Sequence, residues 1–364
     1  MILHSLREIL RFCVCGSILF TAAAALAQTA TNADPLVVVV DGKYGYIGHQ
    51  GHILIPPQFI WADSFLQGLG TVYACGKYVS IDAQGNLLPR RKAAPGELAA
   101  KSKDGKVGFI NPSGEFVVPP SFDDALPYSD GLAAVKTGDK WGFVDTDGRQ
   151  VIPPQFKAAY YFQQGIGLVE SDAGEVLIDK SGVTIAKGFS VLQPIAEGRV
   201  PASREDKSGY LDLQGKVTIP LIYDTALAFS EGLAAVEKGV KWGYVDKDGQ
   251  VVVPFKFDHA ESFSQGLAPA RLRKTSGFID KSGVFAFTLP YRDASGFSDD
   301  GISAFWTEDN LFGYLNTSGD VIWGPVHGIP EHTPILGWTE EDKAQSCRGF
   351  SDATKQMISG FPAE

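Results

Sequence analysis

Apolar and polar positions alternate in short runs along most of the chain, and a turn signal ends each run within a few residues. The clearest example is Lys241-Trp242-Gly243-Tyr244-Val245-Asp246-Lys247-Asp248-Gly249-Gln250-Val251-Val252-Val253-Pro254. Tyr244-Val245 pairs an aromatic with a β-branched residue, which suits a pleated, half-buried surface. Asp246 and Gly249 stand three residues apart. Asp opens a type I turn by bonding its own backbone, and a following left-handed Gly completes a common hairpin connection. Val251 to Val253 restart a strand. Pro254 has no N–H, so that strand stops there or runs along an edge. The stretch predicts strand, turn, strand.

With Gly243 as anchor, the same frame recurs at Gly45, Gly108, Gly142, Gly209, Gly277 and Gly313, and in two degenerate copies at Val79 and Val176. That makes nine units, most of them 34 residues apart. Two positions after the anchor every unit is aliphatic, from Ile47 to Leu315. Six after it every unit has Gly: residues 51, 85, 114, 148, 182, 215, 249, 283 and 319. Turn chemistry requires this, because a Cβ is penalised at such a backbone position. About eleven residues before most anchors runs an aromatic-Ser-x-Gly-Leu-Ala-Ala-Val signal, as in Phe229 to Val236. It predicts a further strand entering each unit through a Gly turn. The expected fold is therefore all-β, built from tandem three-stranded meanders of about 34 residues. Two arrangements compete. A solenoid-like or superhelical array comes first, because propeller blades usually take about 40–45 residues and four strands. A β-propeller is the alternative.

The frame resembles the bacterial WG (or KWG) repeat family. The resemblance rests on Lys140-Trp141-Gly142-Phe143-Val144-Asp145 with Val151-Ile152-Pro153-Pro154, and on Lys241 to Asp246 with Val253-Pro254. It covers residues 36 to 326. Only these two units hold a literal Trp-Gly; Tyr44, Val107, Ser208, Ser276 or Phe312 precede Gly elsewhere. The resemblance implies a β-rich array in bacterial proteins that are often exported, and carries no catalytic residues with it.

Residues 1–27 have the character of a secretory signal peptide: Arg7 and Arg11 flank the start, Phe12 to Leu26 is apolar, and Ala25-Leu26-Ala27 offers small-x-small cleavage near Ala27. Residues 28–35 form a polar, flexible lead. The protein is thus expected in the periplasm or secreted, without stable membrane insertion once cleaved; no other run has the apolar length of a spanning helix. After residue 326 the repeat stops. In the tail, residues 327–364, Thr339-Glu340-Glu341-Asp342 and Ser351 each open a short helix, the second ended by Gly360. Array ends need covering, so these helices are expected to cap the last unit.

Cys75 and Cys347 remain after cleavage. Export permits a bridge, while two separate thiols are equally compatible with the spacing. A bridge would favour a closed or strongly curved arrangement, because the tail reaches only about 70 Å when extended. The formal net charge is −10 and becomes one unit more negative without the leader. That disfavours nucleic acid and anionic lipid as partners. Arg90-Arg91-Lys92 is the one basic cluster, first read as a solvated loop and second as an anion contact.

Reactive constellations are missing from the sequence. His49/His52 and His327/His332 are loose pairs, short of the three or four ligands a metal site takes. The Asp145-Thr146-Asp147-Gly148 and Asp246-Lys247-Asp248-Gly249 turns lack the later acidic ligand of a calcium loop. No Gly-x-Ser-x-Gly elbow occurs. The sequence therefore predicts no catalytic, cofactor-binding or metal residues and no cofactor. Tyr46, Phe109, Phe143, Tyr210, Tyr244, Phe278 and Tyr314 share one frame position; core between stacked units is the first reading, a glycan- or peptide-binding strip the second. The expected function is a non-enzymatic exported scaffold holding a protein, peptide or glycan at the cell envelope. The alternatives are an envelope hydrolase or lyase with its site between units, and a structural spacer.

Overall fold

In a computed structural model, the described residues are 34–65, 68–88, 98–111, 115–172, 174–191, 194–327, 344–348 and 350–359. The leader, most of the lead, Arg90-Arg91-Lys92, His332 and the expected helix at Thr339 lie outside them. The described residues form nine consecutive antiparallel sheets, six four-stranded and three three-stranded. We number them blades 1 to 9 by their anchors, Gly45 to Gly313.

Blade 7 shows the plan. Its strands are Thr225–Ala226, Leu233–Glu237, Trp242–Asp246 and Val251–Phe257, in that order across the sheet. The two-residue first strand is an addition to the expected meander; so short a piece carries no periodicity to read. The Ser230–Leu233 turn has two residues, Glu231 and Gly232, both at positive φ, which is the hairpin geometry that matches strand twist. The Asp246 turn forms as expected. Its Oδ1 accepts the N–H groups of Asp248 and Gln250, Gly249 N–H donates to Asp246 O, and Gly249 sits at φ +78°.

The anchor glycine has a different cause. Trp242 pairs with Phe257, but Tyr244 pairs with Val253, so three residues of the fourth strand arch over Gly243 alone. A Cβ there would lie 2.6 Å from Val253 O. The arch carries the chain straight into the next blade, whose first strand, His259–Ala260, begins after one intervening residue. The degenerate copies lack this arch, as does blade 8, which keeps its glycine and pairs Gly277 directly with Thr288. In blade 5, Val176 pairs with Lys187 and Leu177 with Ala186, with nothing skipped. In blade 2 the fourth strand is only Leu87–Leu88 and pairs with Ser80 and Ile81.

The sheets do not form an open superhelical array; they close into a nine-bladed β-propeller. Each described turn glycine lies against the preceding blade's fourth strand, as Gly249 against Ile219 and Gly283 against Val253. Gly51 of blade 1 makes the same contact with Ile322 of blade 9. Tyr314 of blade 9 donates its hydroxyl to Val37 O of blade 1 at 3.0 Å.

The frame-position aromatics are core. Tyr46, Phe109, Phe143, Tyr210, Tyr244 and Phe278 are fully buried. Each meets the aromatic of the next blade's turn, as in Tyr46–Phe65, Phe143–Phe162 and Tyr244–Phe263, with ring centroids 4.7–4.9 Å apart. The fourth strands are the exposed sheet edges, and their prolines withhold N–H groups from foreign strands.

Cys75 and Cys347 are bridged. The helix Asp352–Ser359 starts at Ser351, whose Oγ accepts Thr354 N–H, a capping bond. Ile358 is buried with Tyr46, Val72 and Val79. The tail therefore covers blades 1 and 2 rather than the last blade. Ring closure leaves blade 9 no free end, whereas blade 2 lacks most of its fourth strand.

Candidate functional site

Neighbouring blades are tied by a repeated set of bonds. On one face, Ser129, Ser230 and Ser264 donate their hydroxyls to Phe162, Phe263 and Phe297 O of the next blade, each at 2.6 Å. The turn residues Asp130, Glu197 and Glu231 accept the N–H groups of Gly165, Gly232 and Gly266. Lys180, Lys247 and Lys281 pair with the same three carboxylates. On the other face the Lys of the anchor motif reaches an Asp 17 residues on: Lys106–Asp123, Lys207–Asp224 and Lys241–Asp258. Each of these Asp residues also accepts an N–H from the next blade, from Gly138, Gly239 and Arg273. Lysine hydrogen bonding, joined by these backbone donors, holds all three carboxyls below the usual range. The recurring carboxylates are thus committed to turns and blade links.

The interface between blades 5 and 6 breaks this scheme. Leu177 and Ile195 occupy the positions of the paired aromatics, and Gln163 stands where other blades carry Ser. Two rings are missing, and a cavity of about 190 Å³ opens in their place. Ile166, Leu168, Leu177, Val191 and Ile195 supply its apolar lining. Gln163 Oε1 accepts Ile195 N–H at 2.9 Å, so its acceptor is already engaged. Tyr160 and Tyr161 stand at the mouth, 43% and 57% exposed. The segment around them, Ala158–Gln163, bulges against its partner strand between Ala159 and Phe162. Among the described residues, no charged side chain lines the cleft.

The sequence predicts no site residues, and the cleft is legible in it only as two departures, Leu177 from the aromatic frame and Tyr160-Tyr161 before the turn. Of the histidines considered earlier, His49 Nε2 meets the Asp34 carbonyl at 2.9 Å. Among the described residues no group of three His, Cys, Asp or Glu could hold a metal ion. No described helix is long and apolar enough to cross a membrane.

Nine radially linked antiparallel sheets with an irregular interface define a repeat β-propeller. The chain belongs to the WG repeat family: the model of the WG containing repeat matches residues 44–78, 108–141, 141–173, 209–242 and 242–274. No curated protein matches the chain. Among solved structures it is similar to BamB from Moraxella catarrhalis, at 10% identity, covering 79% of this chain and 83% of that one, with a TM-score of 0.33. Citrobacter koseri AztD matches at 12% identity over 70% and 90%, TM-score 0.34. Kluyveromyces lactis Hsv2 matches at 10% identity over 51% and 70%, TM-score 0.33.

Each family match runs from one anchor strand to the next, so the sequence repeat is a blade interface rather than a blade. The matches cover interfaces 1–2, 3–4, 4–5, 6–7 and 7–8. No single match spans the 5–6 interface: Tyr160, Tyr161, Gln163, Ile166 and Leu168 of the cleft fall within 141–173, and Leu177, Val191, Pro194 and Ile195 fall beyond it.

Proposed function

We propose that the protein is an exported, non-enzymatic scaffold that holds a protein or peptide partner at the cell envelope, anchored in the cleft between blades 5 and 6. The cleft itself carries the reading. At about 190 Å³ it is below the roughly 300–1,000 Å³ of small-molecule sites and suits one apolar side chain. A rim of two exposed tyrosines around an apolar floor matches how protein interfaces place their anchoring pockets. A glycan fits less well, because the lining offers few free polar groups. Export rests on the leader's charge, apolar run and small residues, and the Cys75–Cys347 bridge is consistent with an oxidising compartment.

The test is a photo-crosslinking residue at position 161 of the full chain in producing cells, with position 240 as the exposed control. A partner should crosslink from 161 and be lost when Leu168→Trp fills the cleft. Equal labelling from both positions, or an adduct insensitive to Leu168→Trp in a folded variant, would defeat the cleft. Fractionating the same cells tests export; an unprocessed cytoplasmic product would defeat it.

A further inference from the structure

A second interface that no single family match spans, between blades 8 and 9, holds a different departure. Trp141 and Trp242 of the literal Trp-Gly units pack into the core shared with the following blade. In blade 8 that position is Ser276. It pairs with Leu289, where Trp141 and Trp242 pair with Phe156 and Phe257. Two large rings become a hydroxyl and a leucine, and a small slot opens.

Basic chemistry surrounds the slot. Its lining includes Arg271, Ser276, His259, Arg292 and Asp293. His259, Arg271 and Ser276 lie side by side across the sheet, by the pairings His259–Arg271 and Arg271–Ser276. Arg292 enters from the start of blade 9, where Ser276 Oγ donates to its carbonyl at 3.2 Å. Among the described residues, neither Arg271 nor Arg292 has a carboxylate at ion-pair distance; Arg292 donates only to Asn310 Oδ1 at 2.9 Å. Three carboxylates are close. Asp258 feels the Arg271 charge, but its oxygens are engaged by Lys241 and by Arg273 N–H. Glu261 is held by His259 Nε2 at 3.4 Å, and Asp293 Oδ1 accepts Ala294 N–H at 3.0 Å. Arg273 and Lys274 follow Arg271 in the adjoining turn, both exposed. In a chain of net charge −10, two arginines with no carboxylate at ion-pair distance among the described residues line the slot where Ser276 stands in place of Trp.

We propose that this slot binds a tetrahedral oxyanion, a phosphate or sulfate group, with the Arg271 and Arg292 guanidiniums as its forks and the slot seating one of its oxygens. Planar guanidiniums offer paired N–H donors spaced for phosphate oxygens. The slot is too small for more than part of such a group, so the body of the ligand lies outside, and a phosphorylated or sulfated chain is the class it fits. The proposal is independent of the blade 5–6 cleft.

Calorimetric titration of the purified protein with inorganic phosphate, sulfate and acetate at constant ionic strength tests it. Wild-type protein should bind phosphate or sulfate saturably, and the stronger of the two names the source chemistry. The double variant Arg271→Gln/Arg292→Gln should bind at least tenfold more weakly. Ser276→Trp restores the repeat's own residue and should abolish binding while circular dichroism stays unchanged; Ser276→Leu serves if the Trp variant does not fold. Absence of saturable binding to both anions, acetate binding as tightly as either, or unaltered binding in a folded slot-filled variant would each overturn the proposal.

Discussion

At the residue scale, glycine has two unrelated jobs in this chain, and substitution separates them. Gly243 is required by an arching backbone: its missing Cβ leaves room for Val253 O. Gly131 is required only by a positive φ of +84°, with nothing within 4 Å of an added Cβ. Gly243→Ala should therefore cost more than about 2 kcal/mol, because backbone must move, and Gly131→Ala only about 1 kcal/mol of local strain. Urea midpoints of the two variants give the comparison. The buried tyrosines make a second residue-level case. Tyr244 donates to Glu261 O at 2.8 Å, and burial, with the Glu261 charge adding, pushes its hydroxyl far above the usual tyrosine range. Such a group stabilises fully below its unfolded pKa of about 10, and that contribution is lost as pH rises towards the folded value. Stability should thus fall above about pH 10, and Tyr244→Phe should lose about 1 kcal/mol near neutrality while flattening the alkaline decline.

At the element scale, the working unit is the joint between blades. The Lys of the anchor motif belongs to one blade and its Asp to the start of the next, as in Lys241–Asp258. The Asp258 carboxyl is depressed first by Lys241 and then by Arg273 N–H. A depressed carboxylate contributes stability above its unfolded pKa of about 4, and the contribution is lost as pH falls through the folded value. Acidification below about pH 4 should therefore loosen these joints, and Asp258→Asn should remove part of the slope in a pH series of melting temperatures. An unchanged slope would mean the pair is structural ornament. The strand-turn-strand frame was legible because Asp, Gly and alternation act over neighbouring residues. The two-residue first strand was not, since it exists only by pairing with a later strand. Nor was the tail's destination: Ser351 announced a helix, but what it would cover depended on blade 2 lacking an outer strand.

At the scale of the whole molecule, the ring has a seam between blades 9 and 1, held by the Gly51–Ile322 and Tyr314–Val37 contacts. The tail leaves blade 9 and fastens to blade 2 through Cys347–Cys75, a bridge spanning 272 residues of sequence. Cross-linking across so long a loop removes much unfolded-chain entropy, so Cys347→Ser should cost about 3–5 kcal/mol. Denaturant midpoints of wild-type and variant protein under non-reducing conditions would show it, and equal midpoints would mean the tail adds nothing. The irregular interfaces also belong to this scale. Leu177 and Ser276 look like ordinary drift in a repeat, and become openings only when the facing blade brings nothing large enough to fill the space.

What the sequence determined alone was the rhythm: turn positions, strand order within a unit, and the aromatic frame. These are local rules, set by backbone sterics and by which side chains a pleated surface will hide. What only the tertiary structure decided was the closed ring, the blade that receives the tail, and the two interfaces left unfilled. Those depend on how the fourth strand arches into its neighbour and on what stands across each interface, which no single stretch of chain contains.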